Sequence, residues 1–462
     1  MTQIKKASMG KSPFATRGVI EGFYGVYYNF PERNDLIRFI GQHGFNLYIY
    51  APKNDRQHRN RWWEPYPKKI MDQFALTNQI AQEAGVEFCY AISPAVSMSY
   101  ASAEDYERIQ AKLLPFFRLG VRNFALLLDD ISPALEETAP DLRHARLPVA
   151  QADLCNRLYD WLQDLDLSCK LSMCPTEYHG LAPFPAALQE LGQCLDPRID
   201  VFYTGPEICS ERITTRDAQE FAQAIGRPPL IWDNYPVNDL QMEPELHIGP
   251  ITGRDPHLFH EVRGIVVNLM IQAEASKIPL ITYADYLASP QRYQPTRSWE
   301  SALLEIAGND SYLPLHRFAE NSLGSCLQMP ATAELDDQVQ AALVSLRSGV
   351  PAGASLAFND LKMYLLELDE ACYHLLNRMD NLALRQNLIP WIVSLDRWQR
   401  AGQDALEMIE ACEAGLGCEQ TRQHLLDYLR MIRAGNKRIG GEALKAIIDY
   451  ALSLVPAPEL TI

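Results

Sequence analysis

Two adjacent carboxylates, Asp129 and Asp130, end an apolar run that begins at Asn123. Neighbouring side chains of a strand point to opposite faces, so paired like charges at its end require an explanation. One interpretation is a solvated turn or a helix N-cap, where Asp is favoured. The other is a pair of acids held over a substrate. Two close carboxylates disfavour double ionisation, so one pKa rises, and a general acid needs such a rise to stay protonated.

The chain around this pair alternates short apolar runs with amphipathic, helix-like stretches between residue 17 and about residue 300. Eight such strand–helix units predict an α/β fold, a (β/α)8 TIM barrel, whose strands are apolar throughout because helices cover them. A doubly wound open sheet is the alternative, but the first run lacks the GxGxxG spacing. The eight runs are residues 18–25, 45–53, 86–94, 123–130, 169–178, 200–207, 229–234 and 264–270.

The ends of these runs carry the side chains that could do chemistry, because barrel enzymes act at the C-terminal ends of their strands. Carboxylates, amides, one lysine and aromatic rings suit a neutral, polyhydroxylated ligand, whereas a phosphate site would need several Arg or backbone N–H groups. Taken singly, a lysine is usually at the surface and a tryptophan usually in the core. Besides the two aspartates, the set comprises Glu21, Gly22, Tyr24, Lys53, Glu177, Tyr178, Trp232, Asp233, Asn234, Asp239 and Asn268.

Beyond about residue 300 the apolar residues recur every three or four positions, which predicts helices. We expect residues 1–16 to form a tail, 17–300 the barrel, 301–455 an all-α helical bundle and 456–462 a second tail. The simplest interpretation of the apolar stripes is core packing, and a dimer contact is the main alternative. The clearest stripe comprises Leu361, Leu365, Leu368, Cys372, Leu375 and Met379.

Composition excludes some partners and suggests a compartment. A net charge of −16 over 462 residues argues against nucleic acid or an anionic membrane as the main partner. The N-terminus lacks the apolar core of a secretory signal, and no apolar run approaches the roughly 18 residues of a membrane span. The ten cysteines are scattered without a CxxC pair, which predicts reduced thiols in a cytoplasmic protein. His257 and His260 lack further ligands at suitable spacing, so we expect no metal and no other cofactor.

Six blocks of sequence resemble the family 84 glycoside hydrolases, the β-N-acetylglucosaminidases that include the O-GlcNAcases. The resemblance extends from residue 17 to about residue 290, and three positions depart from the family pattern. These are "VYYNF" in place of an early Pro-Trp, Asn54 in place of Asp, and Leu269 in place of Pro. The matching blocks are "VIEGFYG", "YAPKNDRQHRNRWWEPYP", "LLLDD", "CPTEY", "WDNYPVND" and "GIVVNLMIQAEASKIPL".

The resemblance implies a retaining exo-hydrolase in which the substrate's own 2-acetamido group is the nucleophile, an exception to the usual pair of catalytic carboxylates. It implies that Asp129 accepts the acetamide N–H and that Asp130 is the general acid and base. It also implies sugar-hydroxyl contacts from Gly22, Lys53, Asp239 and Asn268, acetamide contacts from Tyr178 and Asn234, and a pocket wall of Trp232 with Cys174.

Two other functions remain open from the sequence: a non-catalytic sugar-binding barrel and a metal-dependent barrel hydrolase. The aglycone is also open, because GlcNAc on protein Ser or Thr and small N-acetylglucosaminides would present the same sugar. A homodimer is possible.

Overall fold

In the computed structural model, which describes residues 12–129, 147–323 and 334–455, eight parallel strands close into a barrel. The first strand pairs with both the second and the eighth, and this pairing closes the sheet. The predicted (β/α)8 barrel is therefore confirmed. The strands are β1 (Thr16–Glu21), β2 (Leu47–Tyr50), β3 (Glu87–Ile92), β4 (Asn123–Leu127), β5 (Lys170–Cys174), β6 (Asp200–Tyr203), β7 (Leu230–Asp233) and β8 (Gly264–Asn268).

Helices follow the strands, and local sequence signals fix several of their ends. The first and sixth helices begin with capping boxes, Asn29 with Glu32 and Thr214 with Asp217, which satisfy N–H groups of the first turn. The sixth ends at Gly226 in the left-handed conformation. These helices are α1 (Phe30–Gln42), α2 (Lys68–Glu83), α3 (Ala103–Arg118), α4 (Leu147–Leu165), α5 (Ala186–Cys194), α6 (Thr215–Ile225) and α7 (Ala273–Ala288).

The barrel interior is a packed apolar cluster. Its members come from all eight strands and their immediate ends, as is usual for the interior of such a barrel. Polar side chains at the strand ends therefore rest on a closed hydrophobic floor. The cluster comprises Ile20, Leu47, Ile49, Ala51, Cys89, Ala91, Ala125, Leu127, Cys174, Phe202, Leu230, Trp232 and Val266.

The chain forms two compact units. One contains the barrel, up to Leu240 and again over Pro250–Ser298, and the other contains Gln241–Gly249 and the described residues from Trp299 onward. The predicted apolar stripe from Leu361 to Met379 is buried at every position, so its interpretation as core is confirmed. The remaining helices are α8 (Pro295–Ala307), α9 (Asn309–Glu320), α10 (Glu334–Arg347), α11 (Leu356–Asn377), α12 (Leu382–Glu413), α13 (Glu419–Ala434) and α14 (Gly441–Leu454).

Within the described ranges, no helix combines the length and the apolar composition needed to cross a membrane.

Candidate active site

A cavity of about 210 Å³ opens at the C-terminal ends of the strands. It is smaller than the roughly 300–1,000 Å³ typical of sites for drug-sized ligands, so it suits a single sugar ring. Asp130 lies outside the described residues. All the other residues to which the family resemblance assigns a role line this cavity: Gly22, Lys53, Asp129, Cys174, Tyr178, Trp232, Asn234, Asp239 and Asn268.

Two carboxylates at the strand ends do not belong to the cavity. Glu21 and Asp233 are fully buried on the other side of the sheet, where each forms an ion pair. Arg33 Nε lies 2.8 Å from Glu21 Oε2, and Arg254 Nε lies 2.8 Å from Asp233 Oδ2. These pairs join β1 to helix α1, which contains Arg33, and β7 to the segment that contains Arg254. Glu177, exposed in the loop after β5, also does not line the cavity.

The cavity has six lining residues that the sequence did not assign to substrate binding. Tyr24 stood among the strand-end residues but received no role. Thr204 directly follows β6, and assigning the first residue after every strand would have found it. The loop residues give no such signal, because their path depends on tertiary packing. The six are Tyr24, Thr204, Ile208, Cys209, Val237 and Leu240.

Lys53 and Asp129 form an ion pair within the cavity, although they lie 76 residues apart in sequence. Lys53 Nζ donates to Asp129 Oδ2, and both side chains are more than nine-tenths buried. The other oxygen, Asp129 Oδ1, is buried and has no hydrogen-bond partner among the described residues. The pair therefore fixes the orientation of the carboxylate and leaves one oxygen to accept a hydrogen bond. A buried acceptor without a partner is rare, and such groups are often functional.

A chain of amide hydrogen bonds along the cavity lining connects the ends of four strands. Asn234 Oδ1 accepts from Trp232 Nε1 and from Asn268 Nδ2, each at 2.9 Å. Asn268 Oδ1 accepts from the backbone N–H of Gly22 at 3.1 Å, and Asn234 Nδ2 donates to the carbonyl of Ile208 at 2.7 Å. Each amide is thereby held in one orientation. The network positions the indole ring and the loops after β1 and β6 together.

Close backbone approach explains the glycine at position 22. A Cβ built there would lie 2.5 Å from Cζ2 of Trp232, so any side chain would displace the indole. The next loop residues are held as well, because the backbone N–H of Tyr24 donates to Asp239 Oδ2 at 2.7 Å. The hydroxyl of Tyr24 accepts from Arg59 Nη1 at 2.6 Å. The loop after β1 is thus held by both the backbone N–H and the side-chain hydroxyl of Tyr24.

The electrostatic character of the cavity is mixed rather than strongly basic. One lysine, two described aspartates and two asparagines provide donors and acceptors, and Trp232 and Tyr178 provide ring faces. Among the described residues, no group of three His, Cys, Asp or Glu side chains could hold a metal ion. Carboxylates, amides and rings around a one-ring cavity in a parallel barrel are the features of a carbohydrate-active enzyme.

Comparison with known proteins places this barrel in a family. The sequence model of a family described as β-N-acetylglucosaminidase matches residues 17–320. The protein O-GlcNAcases of Rattus norvegicus and Mus musculus are each 33% identical over 281 residues, which is 59% of this chain and 30% of theirs. The chain belongs to this family, the family 84 glycoside hydrolases. It spans less than a third of the length of those two relatives.

Solved structures resemble almost the entire chain. A mutant of the Thermobaculum terrenum O-GlcNAc hydrolase is 32% identical, with a TM-score of 0.88, over 95% of this chain and 94% of that one. CpGH84B is 28% identical, with a TM-score of 0.84, over 95% of this chain and 77% of that one. The barrel and the helical region are therefore similar to those of an O-GlcNAc hydrolase of comparable length.

Proposed function

We propose that this protein is a retaining exo-β-N-acetylglucosaminidase that removes terminal β-linked GlcNAc through an oxazoline intermediate. The observation that carries the proposal concerns Asp129, which lines a one-sugar cavity. Lys53 holds its carboxylate, and Oδ1 has no hydrogen-bond partner among the described residues. A substrate acetamide N–H would supply the missing donor. Membership of the β-N-acetylglucosaminidase family supports the same chemistry.

In the first half of the proposed reaction, the carbonyl oxygen of the 2-acetamido group attacks C1 of the sugar. The bond from C1 to the glycosidic oxygen breaks, and Asp130 donates a proton to that oxygen. The acetamide N–H becomes more acidic as the oxazoline forms, and it donates to Asp129 Oδ1. The negative carboxylate stabilises the positive charge that develops on the ring. Asp130 is assigned by its place next to Asp129 and by the family resemblance.

In the second half, water attacks C1 from the face that the aglycone has left. Asp130 accepts a proton from this water, the bond from C1 to the acetamide oxygen breaks, and the acetamide is restored. Two inversions at C1 give overall retention. Each of these acid–base roles is typically worth about 10²- to 10⁴-fold in rate.

The remaining cavity residues would bind the sugar. The backbone of Gly22, with Lys53, Asp239 and Asn268, would hold hydroxyl groups, as the resemblance implies. Tyr178 and Asn234 would contact the acetamide or oxazoline. Trp232 and Cys174 are both buried and belong to the same apolar cluster, so they would form the wall that accommodates the acetamide methyl group.

Leaving-group dependence tests the two aspartate roles. Asp130→Asn should lose far more rate on alkyl than on activated aryl N-acetylglucosaminides, because only poor leaving groups need a proton. Asp129→Asn should slow both by about 10²-fold or more. Equal losses of Asp130→Asn on both substrate types would contradict the assignment.

Turnover itself separates this proposal from the two alternatives. A sugar-binding barrel would bind GlcNAc without releasing an aryl aglycone, and a metal-dependent hydrolase would lose activity in a chelator. We expect turnover that a chelator leaves unchanged.

The names of the relatives favour GlcNAc on protein Ser or Thr as one substrate, which release of GlcNAc from a glycopeptide would test. A cytoplasmic location and a homodimer stay predictions from the sequence.

A further inference from the structure

The lining of the cavity changes in character from its floor to its mouth. The buried polar members include Lys53, Asp129, Thr204 and Asn268, each no more than 6% exposed. The most exposed members are apolar, since Ile208 is 50% exposed and Leu240 is 58% exposed. A sugar on the floor would therefore meet polar groups, while whatever is attached to it would meet aliphatic side chains.

Leu240 holds an unusual backbone conformation at this mouth. Its φ is +51°, in the left-handed region that leucine rarely adopts, and it is the one non-glycine residue with positive φ among those described. Glycine or asparagine would adopt this conformation with less strain, and an asparagine would also suit the exposure. Strain retained at the edge of a ligand cavity is a recognised sign of a functional side chain.

Both apolar residues are held in place by the residues that form the site. The carbonyl of Ile208 accepts from Asn234 Nδ2, and Asn234 belongs to the amide network in the cavity lining. Leu240 directly follows Asp239, whose carboxylate accepts from the backbone of Tyr24. The backbone at or next to both aliphatic residues is thus tied to residues that line the site.

We propose that Ile208 and Leu240 form an apolar platform for the aglycone, so that the enzyme favours GlcNAc attached to an aliphatic or aromatic group. We call this pair the aglycone platform. The inference rests on the proposed function and adds the substrate class. Neither side chain can donate or accept a hydrogen bond, so the platform would discriminate by buried apolar area alone.

A series of n-alkyl β-N-acetylglucosaminides, from methyl to octyl, tests the platform. The alcohols have nearly the same acidity, so the chemistry of bond cleavage stays constant while the apolar area grows. Each methylene that contacts the platform should raise kcat/KM by up to about fourfold, which corresponds to about 0.8 kcal/mol. Contact with two methylenes would make the octyl glycoside up to about 15-fold better than the methyl glycoside, and the increase should level off once the chain passes the platform.

Variants then locate the effect. Leu240→Asn suits the left-handed backbone, and Ile208→Ser keeps the backbone carbonyl that Asn234 contacts, so both should fold. In each variant the octyl-to-methyl ratio of kcat/KM should fall severalfold, and in the double variant it should approach one. Leu167→Asn is the control, because Leu167 is 83% exposed and precedes β5, away from the cavity. Its ratio should equal that of the wild type.

The outcomes separate the two levels of the proposal. A flat alkyl series in an active wild-type enzyme would overturn the platform and leave the proposed function standing. A length dependence that survives in the double variant would also overturn the platform. Absence of turnover on every N-acetylglucosaminide would overturn the proposed function and the platform with it.

Discussion

Lys53 Nζ donates a hydrogen bond to Asp129 Oδ2 in the cavity that both residues line, and Asp129 Oδ1 has no partner among the residues that the structure describes. The first contact fixes the carboxylate, and the second oxygen stays available. A site arranged in this way needs little reorganisation when a donor arrives, which is how preorganised electrostatics lower an activation barrier. The pair therefore connects the stability of the fold to the proposed chemistry.

Removing the lysine should expose this coupling. Lys53→Met leaves the Asp129 carboxylate buried without its cation, so we expect a loss of about 1–3 kcal/mol in the free energy of unfolding. In an Asp129→Leu background the same change should cost much less, because the buried charge is already gone. Denaturant unfolding of the two single variants and the double variant measures the coupling. Additive costs would show that the pair contributes nothing as a pair.

Gly22 should tolerate no side chain. In Gly22→Ala the new Cβ would lie 2.5 Å from the Trp232 ring, and the indole must move away from the cavity wall. We expect kcat/KM to fall about 100-fold and stability to fall by about 1–3 kcal/mol, as for other overpacked sites. Gly353→Ala is the control, because a Cβ there meets no atom within 4 Å. Wild-type activity in Gly22→Ala would contradict the packing argument.

Asn234 should matter more than a single amide usually does. Asn234→Ala removes the acceptor of Trp232 Nε1 and Asn268 Nδ2 and the donor to Ile208. Trp232 and Asn268 are buried, and unpaired buried groups cost about 1–3 kcal/mol each, so we expect kcat/KM to fall by about 10- to 100-fold. Asn377→Ala, at an exposed amide that donates to the Tyr373 carbonyl of its own helix, should leave kcat/KM unchanged. A small effect of Asn234→Ala would mean that water replaces the amide.

The sequence predicts the barrel well and the site in part, for reasons that particular residues make clear. Eight apolar runs were enough for the fold, and the residues at their ends account for part of the cavity lining. The sequence did not show whether Glu21 and Asp233 point into the barrel or away from it. Strands of a parallel barrel are apolar on both faces, so no alternation of polar and apolar residues distinguishes the inner face from the outer one. Ile208 and Leu240 lie in loops, and only tertiary packing brings them to the cavity mouth.

The buried imidazole of His58 should make the folded state sensitive to acid. Burial lowers the pKa of His58 from its ordinary value near 6.5 to about 4. Its Nδ1 lies 2.9 Å from the Ala91 carbonyl, and within the described part of the chain Nε2 has no hydrogen-bond partner. Between those two pKa values the unfolded chain binds a proton that the folded protein does not. Stability therefore falls as the pH drops from about 6.5 to about 4, by on the order of 3 kcal/mol in total.

His58→Gln should remove this part of the pH dependence. At about pH 8 the variant should be less stable than the wild type, because a buried contact is disturbed, and the difference should shrink steadily as the pH falls below about 6.5. Titrations of the other carboxyl and imidazole groups are common to both proteins and cancel in the difference. Urea unfolding at several pH values between about 8 and 4.5 measures it. A difference that stays constant across this range would show that His58 is not kept neutral by its burial.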